Sequence, residues 1–236
     1  ALKIYLKLAE DHPDDIKTAA AHLGMILRSL PNVKRGLGTI RQDVNISIAK
    51  GVRVEIKGAQ DLAMIPTLAK NEMLRQHNLL LIFEELKRRN ASANHPITDI
   101  TNVLKNSTSK VITSALSKPG GVVLALRLEN YAGLTSLEIQ PGRRYGSQLS
   151  DHAKVMGVKG LFHADELPNY GITQVEKDAI FNALSADSEK DNFLLIAAPN
   201  DVARRAMEAA KIAAQTVELH KAVRQALPDG TTKYMR

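Results

Sequence analysis

Two carboxylates, a carboxamide and a lysine recur at two-residue spacing in the segments Arg41-Gln42-Asp43-Val44-Asn45-Ile46-Ser47-Ile48 and Val52-Arg53-Val54-Glu55-Ile56-Lys57. Residues two apart share one face of a strand. Ile40, Val44, Ile46 and Ile48 therefore fall on one face with Val52, Val54 and Ile56, while Arg41, Asp43, Asn45 and Ser47 fall on the other with Arg53, Glu55 and Lys57. The short link Ala49-Lys50-Gly51 closes a hairpin, and if it sets the register Asn45 lies opposite Glu55 and Asp43 opposite Lys57. A solvated sheet face with cross-strand ion pairs, each contributing about 0.2–1 kcal/mol, is one reading of that surface. The other is a site in which Asp43 and Glu55 hold Mg²⁺, which prefers carboxylate oxygens and lets substrate phosphates complete its shell. Lys57, Arg41 and the upstream Lys34-Arg35-Gly36-Leu37-Gly38 would then meet phosphates, with Gly36 and Gly38 letting backbone N–H groups come close to an anion.

The elements that position this face are readable around it. A strand is predicted at Leu2–Leu8, and His12-Pro13-Asp14-Asp15 starts a helix that runs to Leu30. After the hairpin (Ile40–Ile48 and Val52–Lys57) comes a long helix, roughly Leu62–Arg89, with Pro66 tolerable in its first turn. Asn90–Pro96 is small and polar and marks a boundary. Beyond it the pattern predicts a helix at Ser107–Ser117, strands near Gly121–Leu128 and Thr135–Ile139, and a helix at Ser147–Met156. A strand at Gly160–His163, a helix at Thr173–Leu184, a strand at Asn192–Ala198 and a last helix at Asp201–Gln225 follow. With the helix at 173–184 set aside the order is β-β-α-β-β-α. The expectation is an α+β chain: a partial cradle of hairpin and long helix, then a two-layer sandwich with one antiparallel sheet covered by helices.

Composition narrows the class. The chain has 236 residues, 44% of them hydrophobic and 24% charged, enough to bury a core in each half. The apolar runs Leu79–Phe83 and Phe193–Ala198 are too short to cross a bilayer. With no cysteine there are no disulfides and no thiolate ligands, which fits a reducing cytoplasm. A net charge of +7 favours a polyanionic partner, and only 4% aromatic residues with no Trp favours a structured RNA backbone over stacked single-stranded bases.

The runs Val33–Ile48 and Gly51–Leu62, with Gly24 upstream and Asn71-Glu72 and Arg75-Gln76 downstream, closely resemble the archaeal E-subunit branch of the GatB/GatE amidotransferase family. Residues Gln140–Asp151 and Val158–Gly171 resemble that branch's insertion, which is related to an accessory domain of bacterial aspartyl-tRNA synthetases. The resemblance implies a partial cradle (kinase/transamidase) domain over 1–92, an insertion over 97–219 and a return into the cradle over 226–236. It implies a carbon–nitrogen ligase, glutaminyl-tRNA synthase (glutamine-hydrolysing), in which ATP activates the glutamyl carboxylate of Glu-tRNA(Gln) and ammonia displaces the phosphate.

Within that scheme Asp43 is a metal-site carboxylate, and Asn45, Glu55 and Lys57 line the same pocket. The implied partners are tRNA(Gln) charged with glutamate and an asparaginase-like glutaminase, the D-subunit, in a cytoplasmic heterotetramer with no membrane attachment. Arg143-Arg144, flanked by glycines, could grip a tRNA phosphate or stand in a solvated turn. His163, Asp165 and Glu166 read as strand and turn residues rather than metal ligands. The family's opening Gly-Leu-Glu-Ile-His-type strand has no counterpart, and Tyr5 or Lys7 stands where the family places a pocket glutamate. Both flanks of the family's pattern are thus expected to be missing and the chain inactive alone. A non-catalytic tRNA-binding module or a subunit-interface module are the alternative readings.

Overall fold

In chain order the computed structural model contains α1 (Pro13–Ser29), β1 (Val44–Ile46), β2 (Val54–Lys57), α2 (Ile65–Arg88), β3 (Ile97–Asp99), α3 (Thr101–Leu104), α4 (Lys110–Leu116) and β4 (Gly121–Leu128). There follow β5 (Glu138–Gln140), β6 (Arg143–Arg144), α5 (Tyr145–Lys154), β7 (Phe162–His163), α6 (Gln174–Ala183), β8 (Asn192–Pro199), α7 (Asn200–Thr216), β9 (Ala222–Ala226) and β10 (Thr232–Met235). The structure describes residues 12–36, 38–39 and 41–235, so the strand expected at Leu2–Leu8, with Tyr5 and Lys7, lies outside the described residues.

The chain divides into two compact units, 1–77 with 220–234, and 78–219 with 235–236. The first unit holds a four-stranded sheet in the order β1-β2-β9-β10. β1 and β2 form the expected antiparallel hairpin, and β9 joins β2 in parallel, with Val54 beside Ala222 and Lys57 beside Gln225. The core of this unit is Ile46, Val54, Ile56 and Ala69, with Ile16, Val44, Val52, Met73 and Ala226 packed around it. The paired strands are shorter than the alternation suggests, because pairing stops at Ile46 and Val54 and the segment between turns through a hydrogen bond from Gly51 N to Ile48 O.

The last helix also ends earlier than expected. It stops at Thr216, where Val217 and Glu218 take left-handed backbone angles, and the chain re-forms as the strand β9 rather than continuing helical to Gln225. Ala222 and Arg224 are buried on one side of that strand, and its pairing partner is distant in sequence, so no local pattern announces it.

The second unit is built on a sheet in the order β3-β4-β8-β7, antiparallel throughout. The two long central strands pair over their whole length, from Gly121 opposite Pro199 to Leu128 opposite Asn192. Leu124, Leu126, Leu194 and Ile196 point to one side, into a core with Leu149 of α5, Ala206 and Met207 of α7, and Leu79 and Ile82 of α2. Val123, Ala125, Phe193 and Leu195 point to the other side, against Leu104 of α3, Ile112 of α4, and Ile180 and Phe181 of α6.

The sheet is therefore covered on both faces, three layers rather than the expected two. The reason lies in the strands: both parities of β4 and β8 are apolar, and a sheet apolar on both faces must be covered twice. The strand expected at Thr135–Ile139 does not join this sheet. It forms β5, which pairs with β6 across the turn Gln140-Pro141-Gly142-Arg143, with Gly142 at φ +67°. The strand beside β4 at this edge of the main sheet is instead β3, whose three residues carry no periodic signal.

Candidate functional site

The hairpin brings Asp43, Asn45, Glu55 and Lys57 together on one face. The observed register sets Asn45 opposite Glu55, Val44 opposite Ile56 and Ile46 opposite Val54. With Ile46, Val54 and Ile56 in the core, the intervening Asn45 and Glu55 point the other way, toward solvent. Lys57 spans the two acids: its Nζ donates to Asp43 Oδ2 at 2.7 Å and also to Glu55 Oε1. These hydrogen bonds, that to Asp43 first and that to Glu55 second, raise the lysine pKa above its ordinary value, so Lys57 is a cation throughout the neutral range.

Two carboxylates held by one ammonium are two carboxylates within reach of one cation, and the lysine nitrogen is a stand-in for it. The pair fits the modest protein ligand set that magnesium uses, one or two carboxylates with the rest of the shell from phosphate and water. No group of three or more His, Asp or Glu side chains able to hold a metal occurs among the described residues, so phosphate and water would have to supply the balance.

The expected phosphate-binding residues are all at the surface. Lys34, Arg35 and Arg41 are exposed, as are Gly36 and Gly38. Gly36 and Gly38 sit at φ +116° and +76°, backbone that only glycine adopts without strain. Thr39 closes the loop by donating from its hydroxyl to Gly36 O at 2.8 Å, and Gln42 donates to Ala59 O at 2.8 Å beside the hairpin. Leu37 and Ile40 lie outside the described residues.

Beneath the hairpin runs a buried polar network to which the sequence alone assigns no role. Glu72, Arg75 and Gln76 are all essentially inaccessible. Arg75 binds Glu72 through two parallel hydrogen bonds of 2.8 Å, Gln76 Nε2 donates to Glu72 at 2.9 Å, and Thr232 of β10 adds a hydroxyl at 3.4 Å. Arg224 of β9 donates in turn to the hydroxyl and carbonyl of Thr232. Spacing of three and four residues puts Glu72, Arg75 and Gln76 on one face of a helix. That spacing is visible in the sequence, but it does not say what the face covers.

In the second unit Arg143 and Arg144 separate. Arg143 is bound to the buried Asp151 of α5, and Arg144 is exposed. A two-arginine phosphate grip is therefore not what the turn presents, because one guanidinium is committed to a carboxylate of the same unit. His163, Asp165 and Glu166 belong to an internal network. Asp165 accepts from Gly133 N, Thr135 N and the Thr135 hydroxyl at 3.0, 3.0 and 2.6 Å, and the same hydroxyl meets His163 Nδ1 at 2.9 Å and Asn192 Nδ2 at 3.0 Å. Gly146 allows the imidazole this close, since a Cβ there would collide with the ring. Burial lowers the His163 pKa, and these residues form a hydrogen-bonded clamp within the unit.

No helix among the described residues is long and apolar enough to cross a membrane. Comparison with known proteins bears on the two regions separately. The GAD domain matches residues 112–207. The glutamyl-tRNA(Gln) amidotransferase E-subunit of Pyrococcus furiosus is 46% identical over 230 residues, covering 95% of this chain and 36% of that protein. The E-subunit of Methanocaldococcus jannaschii is 47% identical over 227 residues and that of Methanosarcina acetivorans 48% over 226. The chain thus spans about a third of the length of these relatives, 36%, 36% and 35% respectively. The GatB/GatE catalytic domain matches residues 2–119, which is half of the 236 residues and includes the whole polar hairpin, and the chain therefore belongs to the GatB/GatE family.

Proposed function

We propose that this chain carries part of the site at which Glu-tRNA(Gln) becomes Gln-tRNA(Gln), through ATP-dependent activation of the glutamyl carboxylate followed by ammonia transfer. The observation that carries the reading is the convergence of Asp43, Asn45, Glu55 and Lys57 on one face of the hairpin, two of them acids already sharing one cation. A carboxylate is a poor electrophile until its oxygen is made a leaving group. Magnesium bound with ATP at such a face offsets the charge on the phosphoryl group in transfer.

The chain's own part follows from its geometry. Asp43 and Glu55 would hold the cation, and Asn45, opposite Glu55 in the sheet, can donate a hydrogen bond to an acyl or phosphoryl oxygen. Lys57, once its seat between the carboxylates is taken, is free to reach a phosphate, and Lys34, Arg35 and Arg41 add positive charge at the exposed loop. In this reading the ammonia comes from a second protein, an asparaginase-like glutaminase (the D-subunit) in a cytoplasmic heterotetramer, as the family resemblance implies. In the complete amidotransferase, Asp43→Asn should abolish amidation while leaving tRNA affinity within a factor of about two, because base and backbone contacts are untouched. Undiminished amidation by that variant would remove Asp43 from the chemistry.

A further inference from the structure

Gln76 treats β1 as a neighbouring strand would. Its Nε2 donates to Ile46 O at 3.3 Å, and its Oε1 accepts from Ile48 N at 3.4 Å. Donating to the carbonyl of one residue and accepting from the N–H two residues on is the pattern of a parallel strand partner centred on Ser47. β1 is the edge of its sheet and only three residues long, so it has little else to fix its course. The amide cannot turn over: its second N–H is taken by Glu72 at 2.9 Å, and Glu72 is held by both forks of Arg75. A reversed amide would set an oxygen against that carboxylate. The turn is shaped to admit it, for a Cβ on Gly51 would collide with Gln76 Oε1 and crowd Ile48 Cγ1. Gly51 has ordinary backbone angles, so close approach, not backbone freedom, is what requires glycine there.

We propose that Gln76, locked by Glu72 and Arg75, is the positioning residue of the candidate site, setting the height and tilt of β1 and through it the aim of Asp43 and Asn45. This rests on the functional reading above. It adds that a fully buried side chain on α2, which no substrate touches, controls the turnover step.

Two measurements test it. In this chain, Gln76→Leu should speed amide hydrogen exchange at Ile48 at least tenfold while the amides of β4 and β8 keep their protection. In the complete amidotransferase, the same variant should lower kcat for amidation about 100-fold, as misplacement by about an ångström does, with KM for Glu-tRNA(Gln) nearly unmoved and the melting temperature lowered by only a few degrees, the cost of a buried hydrogen bond. Gly51→Ala should reproduce the loss by pushing the amide aside. In a Gln76→Ser background, where the side chain no longer reaches the turn, Gly51→Ala should cost clearly less than it does alone, since only the contact with Ile48 Cγ1 remains. A folded Gln76→Leu enzyme with wild-type kcat, or losses from the two substitutions that simply multiply, would overturn the proposal. If Asp43→Asn is dead and Gln76→Leu is fully active, only the positioning role falls. If Asp43→Asn is itself active, the reading of the site falls with it.

Discussion

Lys57 bridges Asp43 and Glu55, and in the proposed function its ammonium takes the place a divalent cation would occupy. Removing it leaves Asp43 and Glu55 facing each other without a counter-charge, so Lys57→Gln should bind Mn²⁺ a few-fold more tightly than the parent chain, as water-proton relaxation would report. Weaker or unchanged binding would mean that the two acids do not share one cation. Arg143 and Arg144 make a second contrast at this scale. Arg143→Ala leaves a carboxylate that is 6% exposed with Lys154 at 3.7 Å as its remaining ion pair and should destabilise the chain by about 1–3 kcal/mol in urea titration, whereas Arg144→Ala should lie within about 0.5 kcal/mol of wild type. Equal effects would contradict the assignment of Asp151 to Arg143. The adjacent arginines look alike in sequence because the residue that distinguishes them stands eight positions away, beyond a helix start.

At the scale of elements, the hairpin was legible down to its register, since alternation and a short link fix which side chains are neighbours. The layering of the second unit was not. Val122–Leu126 and Phe193–Ala198 are runs of apolar residues, and the run itself, not an alternation, was the mark of a strand buried on both faces. Leu126→Ala and Leu195→Ala, on opposite faces, should therefore each cost about 2–5 kcal/mol; a negligible loss at one would uncover that face. β9 escaped for a different reason, since its partner β2 lies in the other half of the sequence.

The clamp around His163 gives this unit a pH dependence. Burial is the first cause of its lowered pKa and Arg144 adds to it, while Glu166 and Asp165 oppose it. The unfolded chain takes up a proton near the ordinary value of 6.5 that the folded unit refuses, so stability is complete above 6.5 and falls as pH drops from there toward the lowered folded value. The melting temperature should decline below pH 6.5, and the decline should flatten in His163→Gln; identical pH profiles would exclude His163 as the source.

For the whole molecule, the net charge is not shared. The unit containing the hairpin has fifteen Lys and Arg against nine Asp and Glu, a difference of +6, and the other has seventeen against sixteen, a difference of +1. Much of the charge in the second unit is also locally matched, as in Arg127 with Asp191, Arg143 with Asp151, and Arg88 and Arg89 with Glu85. Lys34, Arg35, Arg41, Lys50 and Arg53 of the first unit are exposed. Under the proposed function, reversing Lys50 and Arg53 to Glu in the complete amidotransferase should therefore weaken tRNA binding and reduce its salt slope by about one for each phosphate no longer reached, while reversing Arg204 and Arg205 should leave the slope unchanged. Composition alone gave the total of +7, but its distribution became visible only once the units were defined, because the first unit is assembled from both ends of the sequence.

The convergence of Asp43, Asn45 and Glu55 on a phosphate-bound cation is tested most directly by titrating Mn²⁺ with ATP into the isotopically labelled chain and recording which backbone amides broaden. Broadening strongest at residues 43–45 and 55–57, fading with distance from them, and abolished by Asp43→Asn with Glu55→Gln, is the expected result. Broadening centred elsewhere, or broadening that survives the double substitution, would contradict it.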